Sequence, residues 1–318
     1  MDDILMERRE NMKLTKYIHS SKINAVRQTD FRLWGLVAIF AMVTSLTSCV
    51  KDELYDTPHP DKGAVVITTD WADALDETDV PAAYHIGMDG GEAIKTQEAT
   101  TVYPDLLAPG KHSVFAYNKP QGMTISGTTA SVNRLPDGTL EPMPDYLFSA
   151  TTEFEALADD TVHVAVPMVR RLCPIMLNLS LEGGNTEDIA SITATLGGMA
   201  ASVDLRTGTV GGENATVTLD IKQQAKTKAR AYTEGRLEMK CRTVGTNPQE
   251  RQLLTVKVTM ADGHVQTIES DLSERLKDLN TGMEPIELTG KVEAPQDGHF
   301  SGSITDWVDV TGDPVEAN

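Results

Sequence analysis

The sequence predicts an all-β protein, built as two β-sandwich domains in tandem with one short helix in the second. Three observations carry this. Short runs of alternating or β-branched residues recur along the chain and are broken by Gly, Pro, Asn and Asp turns. Helical periodicity appears convincingly only at residues 271–279, where Leu272, Leu276 and Leu279 fall on one face at spacings of four and three. The 270 residues beyond position 48 suffice for two domains of ordinary size.

The first 48 residues read as processing sequence. Arg27 and Arg32 precede an apolar run from Leu33 to Val43, and Leu46-Thr47-Ser48-Cys49 follows. Charged region, short apolar core and small-residue cleavage site are the order of a secretory signal peptide, here with an N-terminal extension. With Cys49 just after the cleavage point, it resembles a bacterial lipoprotein signal. That resemblance makes Cys49 the lipid attachment point and implies acyl chains on it. A transmembrane anchor with a chance Cys is the competing reading. The apolar core is too short for it, since a span takes about 20 apolar residues. Val50-Lys51-Asp52-Glu53 resembles the surface-export signal of Bacteroidetes lipoproteins. The stretch 49–62, with Pro58 and Pro60 and little apolar content, reads as a flexible tether.

Residues 63–166 form the predicted N-terminal sandwich. Residues 64–69 are a β-branched run closed by Asp70-Trp71, and the acids from Asp73 to Asp79 read as a loop. Residues 82–88 and 112–118 are the next strands, the second preceded by the Pro109-Gly110 turn signal. Residues 119–145 are rich in turn residues and are read as turns. Tyr146 to Phe148 and the alternating Val162, Val164 and Val166 read as strands with one buried face.

Pro167 marks the expected boundary of a C-terminal sandwich, 167–312. Ile175, Leu177, Leu179 and Leu181 alternate at period two, and Gly183-Gly184-Asn185 ends that strand. Further strands are predicted at 190–196, 201–205, 215–221, 236–243, 284–292 and 301–308. The Gly pairs at 90–91, 183–184, 197–198 and 211–212 read as turns. Asp262-Gly263 between two alternating runs is a strong hairpin signal, because both turn residues must accept positive φ. No residue-level repeat relates the halves.

Composition narrows the function. The chain holds 28 basic and 47 acidic residues, a net charge of −19. The first 48 residues carry seven of the basic and five of the acidic ones, so 21 against 42 remain, a net −21. Such a surface repels nucleic acid and anionic head groups. Membrane attachment must then come from lipid, and stable anchoring takes more than one acyl chain. Cys173 and Cys241 could pair in an oxidising compartment or stay buried thiols. His59, His85, His112, His163, His264 and His299 form no metal-ligand spacing. No nucleophile elbow or phosphate loop is present. The acids Asp73, Asp76, Glu77 and Asp79 match no EF-hand. The sequence therefore predicts no catalytic residue, metal site or cofactor, and no enzyme activity. Trp71 and Trp307 read as packing residues. Asp160-Thr161-Val162 resembles a Bacteroidetes O-glycosylation acceptor.

The Cys49 start, the acidic tether, Asp70-Trp71, Val166-Pro-Met-Val-Arg-Arg-Leu172 and the closing Ser303-Ile-Thr-Asp-Trp307 together resemble the fimbrillin-like lipoproteins of Bacteroidales. The nearest likeness is to the FimB-type fimbrial anchor subunits, over residues 49 to about 310. The resemblance implies transthyretin-like sandwiches and a place in a type V pilus, lipid-anchored at the outer membrane and exposed at the surface. Fimbrillin-like subunits would be the partners, joined by strand exchange, in which an open sheet edge accepts an incoming strand. Related major subunits are cut after Arg or Lys; here Arg134 is the better candidate and Arg170-Arg171 a structural start of the second domain. The alternative from another class is a surface glycan-binding lipoprotein of a polysaccharide-uptake system, which should expose two or three rings on one face.

Overall fold

The computed structural model describes residues 60–182, 189–222, 236–293 and 304–309. Cys49, the signal-like segment and the expected strand end at 183–185 lie outside these residues. Up to Pro167 the chain forms β1 (Ala64–Asp70), β2 (Tyr84–Met88), β3 (Ile94–Thr96), β4 (Thr100–Val102), β5 (Gly110–Tyr117), β6 (Met123–Ser126), β7 (Thr129–Val132), β8 (Phe148–Ala156) and β9 (Thr161–Pro167). Beyond it come β10 (Val169–Arg170), β11 (Cys173–Glu182), β12 (Ile189–Asp204), β13 (Val210–Thr218), β14 (Asp220–Lys222), β15 (Arg236–Thr243), β16 (Leu253–Met260), β17 (Val265–Asp271), β18 (Ile286–Glu293) and β19 (Ile304–Asp309). One 3-10 turn at Glu77–Asp79 and two helical turns, α1 (Ser273–Leu276) and α2 (Leu279–Gly282), are the described helical elements.

The strands make four sheets, two to a sandwich. The first pair has the orders β4-β1-β9 and β10-β8-β5-β2-β3. They face each other: the Thr69 hydroxyl donates to the Tyr84 hydroxyl at 3.1 Å, and the Trp71 ring meets Tyr84 and Phe148 edge-on at 5.4 Å. Val65 and Ile67 of β1 and Val164 and Val166 of β9 are buried, as the period-two pattern requires. The second pair has the orders β14-β15-β11-β18-β19 and β17-β16-β12-β7-β6, with β13 also on β12. Ile175, Leu177 and Leu179 of β11 are buried with Leu254, Val256 and Val258 of β16. Each such fully buried aliphatic side chain contributes about 1.5–3 kcal/mol over leaving it in water. All these side chains belong to one continuous apolar cluster.

A repeat does exist, in topology rather than in residues. Each half opens with a strand that pairs in parallel with a late one. β1 runs beside β9 from Ala64↔Thr161 to Asp70↔Pro167, and β11 beside β18 from Ile175↔Ile286 to Glu182↔Glu293. A parallel pairing needs a long crossover, which the intervening strands supply.

Four expectations are corrected. The turn-rich stretch 119–145 contains the β6–β7 hairpin, and β7 pairs with β12, so residues preceding Pro167 extend a sheet of the second half. The two strands expected at 190–196 and 201–205 are one, Ile189–Asp204. Gly197-Gly198 forms a bulge inside it, where the register shifts between Leu196 and Met199. Gly211-Gly212 likewise lies within β13. The predicted helix is split into α1 and α2, although Leu272, Leu276 and Leu279 all bury the face that the spacing indicates.

Candidate functional site

The first feature is the outer edge of β9. Its inner edge is fixed at both ends by backbone bonds, Ala64 N–H to Asp160 O at 2.9 Å and Met168 N–H to Asp70 O at 2.8 Å. Alternation then turns the backbone of Val162, Val164 and Val166 toward β1, and that of His163 and Ala165 away from it. Among the described residues no strand pairs on that side. The edge reads Thr-Val-His-Val-Ala-Val-Pro, with no Lys, Glu or Asp to discourage pairing. Pro167, which lacks an N–H, closes one end.

The corresponding edge in the second half is covered. β19 lies antiparallel on β18. The Trp307 ring sits on Gly290, where an added Cβ would come within 3.0 Å of it, and the Trp307 indole N–H donates to Ser270 Oγ at 2.9 Å. Arg275 of α1 closes the clamp, with Nη1 donating to Asp309 Oδ2 and Nη2 to the Trp307 carbonyl, both at 2.7 Å. β9 is thus the bare counterpart of an occupied site.

Between the halves, Arg170 and Arg171 are structural. The Arg170 N–H donates to Asp73 Oδ2 at 2.6 Å and its Nη2 to the Met283 carbonyl at 2.7 Å. Arg171 Nε donates to Ser149 Oγ at 2.8 Å, and that hydroxyl donates on to the Leu205 carbonyl at 2.6 Å. Buried Arg170 offers a protease nothing. Arg134 is exposed, as a turn position should be, with Nη1 on the Gly138 carbonyl.

The other sequence candidates resolve as follows. Trp71 packs against core rings and Trp307 against Gly290, so they form no common platform. Asp76 caps the 3-10 turn through Thr78 N–H at 2.8 Å, and Asp73 serves Arg170. Among the described residues no group of His, Cys, Asp and Glu could hold a metal. Cys173 and Cys241 sit on the neighbouring strands β11 and β15 as buried free thiols. Burial pushes the Cys173 thiol up to about 12 and raises the Cys241 thiol as well. Thr161 is exposed at the start of β9, with Asp160 Oδ1 accepting its N–H at 2.7 Å.

Two features have no clear signal in the sequence. His112 Nδ1 and Asp89 Oδ2 lie 2.6 Å apart, with His112 Nε2 2.8 Å from the Ala108 carbonyl. Asp89 sits at φ 51°, a conformation Asp tolerates in turns. A polar cleft of about 570 Å³ also forms where Asp79, Lys119, Asp145 and Tyr146 meet Arg242 of β15. The Arg242 guanidinium lies 4.0 Å over the Tyr146 ring, and its Nη1 donates to the Pro144 carbonyl at 3.0 Å. Burial pushes the Asp79 carboxyl up against the opposing pull of Arg242.

Among the described residues no helix is long and apolar enough to cross a membrane. No curated protein matches the chain in sequence. Several solved structures share its fold. The fimbrial anchor protein Mfa2 from Porphyromonas gingivalis is 13% identical, with TM-score 0.54, over 78% of this chain and 97% of that one. A candidate adhesin from Bacteroides ovatus is 15% identical, with TM-score 0.53, over 80% and 95%. Another from Bacteroides thetaiotaomicron is 14% identical, with TM-score 0.51, over 80% and 99%. At these identities the likeness speaks for the fold alone. The sequence pattern of one family matches residues 85–311, well over half of the chain. The chain belongs to the fimbrillin-A associated anchor proteins, the family of Mfa1 and Mfa2.

Proposed function

We propose that this protein is a non-enzymatic, lipid-anchored surface subunit that holds or initiates a fimbrium at the outer membrane by β-strand addition. Family membership supports the anchor role. The observation that carries the strand-addition reading is the contrast between β9, bare among the described residues, and β18, covered by β19. An incoming strand on β9 would satisfy the outward N–H and C=O groups of His163 and Ala165, and its alternate side chains could pack beside the exposed face. Cys49 is the lipid attachment point, followed by an acidic tether that keeps the domains clear of anionic lipid. Surface-anchored position and fimbrillin-like partners follow from the same reading. The glycan-binding alternative draws no support from Trp71 and Trp307, which among the described residues are spent on packing.

The test is a denaturing gel of surface complexes, run with and without boiling. The unboiled wild type should show a ladder containing fimbrillin-like neighbours. His163→Pro removes an outward donor while leaving the β1 side of β9 intact, and Ala165→Lys adds an edge charge. Each should abolish the ladder with the thermal midpoint nearly unchanged. A ladder that survives both variants would overturn addition at β9. Cys49→Ser should release the protein from the membrane and abolish acyl labelling; retention at the membrane would overturn the lipid assignment.

A further inference from the structure

We propose that the β1–β9 pair is a mechanical clamp, which lets the protein carry tension applied through its N-terminal tether. The direction of load rests on the anchor reading above; the mechanics rest on topology alone. The tether enters at Gly63, immediately before β1, and β9 ends at Pro167. Because the two strands are parallel, these points lie at opposite ends of the pair: Ala64 faces Thr161 at one end, and Asp70 faces Pro167 at the other. A pull between Gly63 and Pro167 therefore slides β1 along β9. Backbone bonds across all seven residue pairs resist together. Had the strands been antiparallel, the same pull would open the bonds one at a time.

Neighbouring contacts flank this pair. β1 is also held on its other side by β4, through Val66↔Val102 to Thr68↔Thr100. The segment after Pro167 is held to β8 by only two residue pairs, Val169↔Ser149 and Arg170↔Phe148, and by Arg171 on Ser149, so end-to-end tension must free this short contact before it reaches Pro167 and the longer β1–β9 ladder. The second half repeats the geometry. β11 enters at Cys173 and β18 leaves at Glu293, at opposite ends of a parallel pair of eight residue pairs. There β19 runs antiparallel on β18, so a pull at the C-terminus peels β19 first and then loads the β11–β18 pair in the same sliding mode.

Forced unfolding reports the height of the unfolding barrier, so the test is single-molecule pulling in two geometries on the same full chain. Handles at the two termini load β1 against β9 in sliding mode. Handles at the N-terminus and at exposed Ala158, just before β9, pull adjacent strand ends apart. We expect an early low-force step in the first geometry as β19 peels. The release of β1 should then need about twofold or more of the force it needs in the second geometry, because backbone bonds yield together rather than singly. Equal forces in the two geometries, or an easier release end to end, would overturn the clamp. Either result leaves the strand-addition reading to the gel experiment, because no partner subunit is involved.

Discussion

Gly198 shows how one residue can carry information that its sequence context hides. It sits at φ 71°, and a Cβ there would lie 2.3 Å from the Arg251 carbonyl oxygen. A turn and a bulge both want such a glycine, so Gly197-Gly198 reads equally well as either; the pairing of β12 with β13 on both sides of it, Leu196↔Val217 before and Met199↔Ala215 after, decides for the bulge. Gly198→Ala should cost at least about 2 kcal/mol in urea unfolding, from left-handed strain plus the clash. A loss within error of zero would contradict the bulge. The His112–Asp89 contact was equally invisible, because its partners lie 23 residues apart in loops and strands of weak pattern. The hydrogen bond that protonated His112 donates to the Asp89 carboxylate raises the His112 pKa above its ordinary 6.5. Burial works against Asp89 ionisation, but the bonds from His112 and the Ser113 N–H outweigh it and lower its pKa below 3.8. The histidine contribution is thus full below pH 6.5 and fades as pH rises through its folded value. The aspartate contribution is present above pH 3.8 and fades as pH falls through its own. Between these limits both act. For so exposed a pair the gain is about 0.5 kcal/mol after solvent screening. The stability difference between wild type and His112→Gln should be largest near pH 5 and shrink by pH 8; a difference independent of pH would rule the contact out.

Elements with strong periodicity were legible in the sequence. β1, β5, β11, β16 and β17 fall where alternation and turn residues put them, and Asp262-Gly263 joins the last two as a hairpin. Short strands were not. β3 and β4 span three residues each, too few for alternation to show. The β6–β7 hairpin was masked by the turn residues around it, though Met123 and Ile125 alternate with polar neighbours. Its placement could not be read locally, because it is set by a partner strand about 70 residues later. That placement has a consequence: Ser131 pairs with Ser202, Thr128 Oγ1 donates to Asp204 Oδ2 at 2.7 Å, and residues on both sides of Pro167 share one ladder. Calorimetry should therefore show a single unfolding transition. Ser131→Pro, which disrupts the ladder, should separate it into two; two transitions already in the wild type would contradict the coupling.

At the scale of the whole molecule, composition and strand count were enough for an all-β tandem architecture, and the ordered motifs along the chain were enough for the anchor family. The parallel pairings were beyond reach, since alternation gives each strand a buried face and says nothing of its neighbour. The candidate site depended on those pairings. Only once β9 and β18 are seen as counterparts does the coverage of one by β19 mark the other as open. Cys49 is the reverse case: the cleavage-site order alone proposes it as the lipid attachment point, and it lies outside the described residues. The measurement that bears most directly on the central claim is amide hydrogen exchange of the full chain, alone and in complex with fimbrillin-like subunits. Strand addition at β9 predicts that the His163 and Ala165 amides exchange freely in the isolated protein and become protected in the complex. If they stay unprotected while the complex forms, or if protection appears at another sheet edge instead, the docking edge is not β9 and the account fails.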